Sequence, residues 1–286
     1  MKSAVEDRQV SLRTARRPET VAVVLAAYNG KRFIRRALKS VFAQTHQPAE
    51  VIVVEDGTDD GTRELVAAEF PSVRYHWQPN GGPPAAYNAA FSLATSEYVA
   101  CLDQDDAWLA QKLERQLDTF SQDPRASIVL CQAVGKERGR KPGDVRQLTF
   151  RDLFSRQAFE WTDCSMSGWM LKREFFTSII ERFDVQAQSF MDYEALLRVC
   201  GRGYHVVVLR EELYERDMHA TSFGHSPAGQ TVEARELPMV MRRYAPGGSD
   251  WKGNILSAEE YATSLQLSLR RYIGMVLRLG DETTAR

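Results

Sequence analysis

The chain has 286 residues, 43% of them hydrophobic, and a formal net charge of −1. Such a chain can bury one large core or a domain plus an appendage, and the near-neutral balance excludes a general nucleic-acid binder, which needs a basic surplus. No apolar stretch approaches the length of a membrane span, and residues 1–20 are polar with no signal-peptide core. Cys101, Cys131, Cys164 and Cys200 lie far apart, without paired metal-ligand spacing, so a cytoplasmic protein with reduced thiols is expected.

After a flexible tail over 1–20, residues 21–27 form an uninterrupted apolar run, the pattern of a strand buried on both faces. Asn29 and Gly30 break it. Phe33, Ile34, Ala37, Leu38, Val41 and Phe42 then recur at helical spacing. A second strand over 51–54 ends at Glu55-Asp56-Gly57, a helix covers 63–70, and a third strand covers 73–77. The loop Asn80-Gly81-Gly82-Pro83-Pro84 leads into a helix over 85–94. The fourth strand, 98–102, runs into Asp103-Gln104-Asp105-Asp106, and a helix begins near Trp108 with Leu109, Leu113, Leu117 and Phe120 as its stripe. Strand alternation sends Asp103 and Asp105 to one side and Asp106 to the other. A pair of converging carboxylates calls for a divalent cation; the plain alternative is a solvated turn whose aspartate caps the next helix.

The second half is less regular. Residues 127–133 read as a strand, 135–143 as a basic loop, 174–183 as a helix, 192–200 as a helix opened by Asp192, and 206–209 as a strand. Beyond Gly224 the alternation is lost. A last helix follows Ser257, with Leu265, Leu269, Tyr272, Ile273, Val276 and Leu277 on one face and Arg270, Arg271 and Arg278 beside it. Strand–helix alternation predicts a mostly parallel sheet flanked by helices, with ligands beyond the carboxyl ends of the strands. Tyr28-Asn29, Glu55-Asp56 and the 103–106 cluster all follow strand ends and should open onto one crevice.

With these elements in place, residues 21 to about 222 resemble the family-2 inverting glycosyltransferases of GT-A fold. The motifs occur in the family's order: Ala27-Tyr28-Asn29 ending the first strand, V-V-E-D-G-T-D-D-G-T over 53–62, Asn80-Gly81-Gly82-Pro83 through Asn88, and L-D-Q-D-D-A-W over 102–108 followed by Lys112-Leu113. Departures are Ala27 for Thr or Ser, Glu55 for Asp, Tyr87 for Arg, and Met191 for an acid. The resemblance implies three parts: the tail, a catalytic domain over 21–222 (nucleotide-binding half 21–106, acceptor-binding half 107–222), and a C-terminal helical extension over 223–286.

The resemblance further implies metal-dependent transfer of a sugar from a nucleoside-diphosphate sugar, commonly a UDP-sugar, to an acceptor hydroxyl with inversion. Asp105 would bind Mn2+ or Mg2+, with Asp103 beside it and His219 as a further metal or phosphate ligand; Asp192 would be the base. Asp56 would accept the base N–H, with Glu55, Ala26, Ala27, Tyr28, Asn29, Asn80, Gly81, Gly82, Asn88 and Gln104 around the donor. Trp169, in Ser165-Met166-Ser167-Gly168-Trp169, either stacks on a sugar or belongs to the core. Asn29, Asp106 and Asp192 can each be read as helix N-caps instead. Arg210, Arg216 and Arg242 are candidate phosphate contacts. The final helix covers the domain, pairs two subunits, or lies on a membrane. The rivals are a nucleotidyltransferase and a catalytically dead sugar-nucleotide-binding module; a dinucleotide oxidoreductase lacks its glycine fingerprint here, as does a P-loop enzyme.

Overall fold

The computed structural model describes residues 19–135, 144–154, 162, 164–219, 227–244, 263 and 266. Residues 1–18 of the tail expected over 1–20, most of the basic loop and nearly all of the final helix lie outside them.

Strand β1 (Val21–Ala27) is the apolar run expected, buried almost throughout because neighbours cover both its edges and both its faces. It pairs in parallel with β2 (Glu50–Asp56) on one side and β4 (Tyr98–Asp103) on the other, and β3 (Arg74–Gln78) joins β2 in parallel. The intervening helices are α1 (Ile34–Phe42), α2 (Thr62–Glu69) and α3 (Pro83–Leu93). Helix α1 buries Ile34, Ala37, Leu38 and Val41, an i, i+3, i+4, i+7 stripe that suits one face packed on the sheet. Helix α2 starts where Asp60 accepts the Thr62 N–H at 3.0 Å, satisfying one of the free donors of its first turn.

After β4 the chain makes the short strand β5 (Ala107–Trp108) and only then α4 (Lys112–Gln122). The helix expected from Trp108 thus starts four residues later: Leu109 is left exposed, while Trp108 pairs with Tyr214. Strand β6 (Ile128–Ala133) follows, then β7 (Val145–Leu148) and α5 (Phe150–Phe154). Strand β8 (Trp169–Lys172) enters antiparallel between β4 and β6. The helix expected over 174–183 is a single turn, α6 (Arg173–Phe175), continued by a π-helical turn to Ile180; the stripe keeps Phe176, Ile180 and Phe183 buried with a wider turn. Helix α7 (Met191–Gly201) leads to β9 (Val206–Glu215), longer than expected, which pairs with β6, β7 and β5. Helix α8 (Pro227–Arg243) follows. Among the described residues the strand order is β3-β2-β1-β4-β8-β6-β9-β5, with β7 on β9. The sheet is therefore mixed, parallel where strand and helix alternate and antiparallel where β8 is inserted and where β5 and β7 flank β9.

Each face of the sheet carries its own core. One unites Val24, Ile52, Val54 and Cys101 with α3, α7 and α8; the other unites Val23, Leu25, Val53 and Leu102 with α1, α2 and α4. Among the described residues no helix is long and apolar enough to cross a membrane.

One cation lies deep in this interior. Lys112 is fully buried, its Nζ 2.8 Å from Gln116 Oε1 and 4.0 Å from the centre of the Trp108 ring. Burial lowers its pKa from 10.5 to about 8. An amine whose folded pKa is depressed costs stability while charged, and the cost disappears as pH rises from about 8 to 10.5. The wild type should therefore gain roughly 3 kcal/mol relative to Lys112→Met across that window. Urea unfolding of both proteins at pH 7 and pH 10.5 measures it, and a pH-independent difference would contradict it.

Candidate active site

The registers bring three strand ends to one level. Ala26 is opposite Val54 of β2 and Asp103 of β4, so the residues after Ala27, Glu55 and Asp103 share the carboxyl edge of the sheet. Alternation then decides which side chains meet. Ala26, Asp56 and Asp103 continue the series that faces the core of α3 and α7, while Ala27 and Glu55 face the opposite core.

Asp56 is almost completely buried and organises the glycine loop. Its Oδ1 accepts from Gln78 Nε2 at 2.8 Å and the Gly81 N–H at 2.9 Å, and its Oδ2 accepts the Gly82 N–H at 2.7 Å. Asn80 Nδ2 donates to the Asp56 carbonyl at 3.0 Å. Gly82 has φ +82, and a Cβ there would run into the Gln188 side chain, so the loop needs glycine. Glu55 is turned away from this loop: it accepts from Thr58 Oγ1 and, at 3.1 Å, from Tyr75 OH, and burial pushes its carboxyl up. These contacts hold the 55–58 turn.

At the end of β1, Gln104 clasps the backbone of Tyr28, its Nε2 donating to the carbonyl and its Oε1 accepting the N–H, each at 2.9 Å. The Tyr28 ring is left half exposed beside this clasp. Asn29 has φ 50, a left-handed conformation that asparagine tolerates, and its N–H donates to Thr58 Oγ1 at 3.2 Å. The N-cap of α1 is Phe33, so the capping role read for Asn29 is not observed.

The acidic cluster differs from its expected geometry. Strand β4 ends at Asp103, and the chain turns at once, with the Asp106 N–H donating to the Asp103 carbonyl at 3.2 Å. Alternation therefore does not extend to Asp105. Asp103 and Asp106 are the pair that converge, on Ser167: its hydroxyl donates to Asp106 Oδ2 at 2.5 Å, accepts the Asp103 N–H at 3.0 Å, and lies 3.2 Å from Asp103 Oδ2. Tyr87 OH, buried, donates to Asp103 Oδ1 at 2.8 Å, from the position where the resembled motif has Arg. Asp106 also accepts the Asp217 N–H at 3.0 Å and caps no helix. Burial pushes both carboxyls above the usual aspartate range, with the Asp105 charge adding to the effect on Asp103 and the Asp103 charge to that on Asp106.

Asp105 has a different hydrogen-bond neighbour, its Oδ2 3.1 Å from His219 Nε2. The His219 ring is stacked on Phe33 with centroids 4.3 Å apart and planes at 10°. Arg36 ties the same corner together, 2.7 Å from Glu215 Oε2 and 3.4 Å from both Asp217 Oδ2 and the Asp105 carbonyl. Among the described residues no three His, Cys, Asp or Glu side chains form a metal cluster. Asp105 and His219 are thus a two-donor set of oxygen and imidazole, which fits a Mn2+ or Mg2+ ion that keeps water and takes phosphate oxygens from a nucleotide.

Three expected residues fall elsewhere. Trp169 is fully buried, its Nε1 donating to the Cys164 carbonyl at 2.8 Å, so it is core and cannot stack on a sugar. Asn88 spends its amide on the backbone of Phe183, at 3.0 Å and 2.7 Å, and supports that loop. Arg210 is buried, 3.5 Å from Asp144. Asp192 is the second residue of α7, behind the N-cap Phe190, with its Oδ1 accepting the Tyr193 N–H at 2.7 Å. It is therefore not the N-cap, and its helix packs on the face of the sheet to which Asp56 and Asp103 belong. Ser167, Tyr87, Phe33 and Arg36 were not singled out as site residues. Their partners lie 16 to 186 positions away, and only the sheet order reveals them.

Known proteins share this fold. Residues 22–180 match the model of glycosyl transferase family 2. The amylovoran biosynthesis glycosyltransferase AmsB of Erwinia amylovora is 29% identical over 231 residues, 74% of each chain. Other curated glycosyltransferases match over shorter stretches, and this chain spans 32% and 35% of the length of two of them. In structure the chain resembles Staphylococcus aureus TarS 1–349 in complex with UDP (TM-score 0.61, 16% identity, 89% of this chain and 72% of that one). It also resembles glucosyl-3-phosphoglycerate synthase from Mycobacterium tuberculosis in complex with Mn2+, UDP and phosphoglyceric acid (TM-score 0.56, 17% identity, 78% and 79%). With its family match covering more than half the chain and its acidic strand end, glycine loop and mixed sheet in place, this protein belongs to glycosyl transferase family 2.

Proposed function

We propose that this protein transfers a sugar from a nucleoside-diphosphate sugar, with uridine as the base, to an acceptor hydroxyl, with inversion at the anomeric carbon. The supporting observation is the convergence of Tyr28, the Asp56-held glycine loop and the Asp103–Asp105 turn at one level of three adjacent parallel strands. The exposed Tyr28 ring gives the base a stacking surface, and the polar loop around Asp56 frames its edge. Asp105 and His219 hold the divalent ion, which when bound offsets the charge that gathers on the departing diphosphate. Asp103, fixed by Tyr87 and Ser167, keeps the turn in register so that Asp105 faces the diphosphate. Asp192 takes the proton of the attacking hydroxyl. Structural neighbours in complex with UDP, one of them also with Mn2+, support this donor and ion.

The test is a melting series with UDP, GDP, dTDP and their sugars, with and without Mn2+. At a free concentration 100-fold above Kd, UDP with Mn2+ should add about 2.7 kcal/mol, several degrees in Tm. No shift with any nucleotide under any metal condition would refute the proposal.

A further inference from the structure

The helix that follows the catalytic region is joined to the site by a buried carboxylate. Leu237, Val240 and Met241 of α8, with Tyr244 just beyond, belong to the same core as α3 and α7. Within that apolar contact sits Glu236, 7% exposed, whose Oε1 accepts the Gln188 N–H and whose Oε2 accepts the Ser189 N–H, each at 2.8 Å. The Phe190 N–H adds to the same carboxylate. Three consecutive amides immediately before α7 therefore converge on one side chain of another helix, an arrangement that fixes a turn and places negative charge at a helix N-terminus. Two further contacts clamp the same segment: Arg243 pairs with Asp184 and lies 3.2 Å from Gln186 Oε1, and Tyr244 OH donates to Glu194 Oε1 at 2.9 Å.

The turn reaches both halves of the site. Gln188 Nε2 donates to the Gly81 carbonyl at 3.3 Å, so the turn touches the glycine loop held by Asp56. Two residues after Phe190 comes Asp192, in the first turn of α7.

We propose that Glu236 is a positioning residue for the transfer reaction: through the 188–190 amides it sets where Asp192 stands relative to the glycine loop and the donor. This rests on the reading of Asp192 as the base. A carboxylate that receives several N–H groups cannot be replaced by its isosteric amide without turning an NH2 towards a donor. Glu236→Gln therefore keeps the shape of the contact and disturbs the turn. A misplacement of about 1 Å at a reacting group costs up to about 10²-fold in rate.

The experiment compares Glu236→Gln, Leu237→Ala and Asp192→Asn with the wild type, at a temperature where all are folded by circular dichroism. It follows UDP release from UDP-glucose and UDP-N-acetylglucosamine with Mn2+ and the acceptor hydroxyl of glycerol or water. Glu236→Gln should lose at least about tenfold in kcat with KM for the UDP-sugar within about threefold. Leu237→Ala, which loosens the same helix without touching the carboxylate, should keep kcat within about twofold. A Glu236→Gln kcat equal to wild type, or an equal loss in Leu237→Ala, overturns the proposal. If Asp192→Asn loses turnover while Glu236→Gln does not, only the positioning role falls. Wild-type kcat in Asp192→Asn, or no turnover by the wild type, overturns the base reading and the positioning role with it.

Discussion

Asp105→Ala is expected to lower metal-dependent transfer by about 10³-fold and to erase the difference between Tm shifts measured with and without Mn2+. The size follows from what the side chain faces. Asp103 and Asp106 are committed to Tyr87, Ser167 and the Asp217 amide, whereas the Asp105 carboxylate lies 3.1 Å from the His219 imidazole. Removing it leaves His219 as the single donor of the pair, too little to hold an oxygen-seeking dication against water. The fold should tolerate the change, because Asp105 is in the turn beyond β4 and its backbone carbonyl, which Arg36 approaches, is retained. The variant should thus melt within about 1 kcal/mol of the wild type, as for a surface substitution. UDP binding without metal should be little altered, since the Tyr28 and Asp56 surroundings are untouched. A variant that keeps Mn2+-dependent stabilisation by UDP would show that the ion is held elsewhere.

Much of the donor half could be read from the residues in order. Parallel strands buried on both faces leave continuous apolar runs, as at 21–27 and 98–102, and the polar residue that ends each run marks the edge where ligands bind. What the pattern could not convey was how each polar end is held. Whether Asp105 or Asp106 joins Asp103 depends on where β4 stops, and that is decided by the 103–106 turn and by Ser167, which reaches β4 only because β8 inserts antiparallel beside it. The motif gives Asn88 as a donor contact and leaves Trp169 open between a sugar-stacking ring and the core, because neither partner is visible in order along the chain. Both are consumed by backbone groups, Phe183 and Cys164, which buried polar atoms require. The 174–183 stripe was read correctly for burial and incorrectly for pitch, since a π-helical turn buries a similar face. Glu236 carried no signal at all, being one acid in a helix of mixed polarity until its amide partners 46 to 48 residues earlier are seen.

Asp192→Asn is expected to lower kcat by about 10²–10⁴-fold, the range a positioned general base contributes, while UDP still binds with Mn2+ as in the wild type. Asparagine keeps the size of the side chain and the acceptor oxygen that takes the Tyr193 N–H, so α7 should start as before. Only the capacity to take a proton is removed. Asp105→Ala and Asp192→Asn then separate two parts of one step: the first should lose ion-linked donor binding, and the second should keep it and lose turnover. Their combination should fall short of additive, because both act on the same transition state, one on the departing diphosphate and the other on the incoming hydroxyl. Isothermal titration with UDP and Mn2+ beside a UDP-release assay measures both. Asp192→Asn turning over at the wild-type rate would assign the proton to a different acceptor, and a loss of UDP affinity in it would place Asp192 on the donor instead.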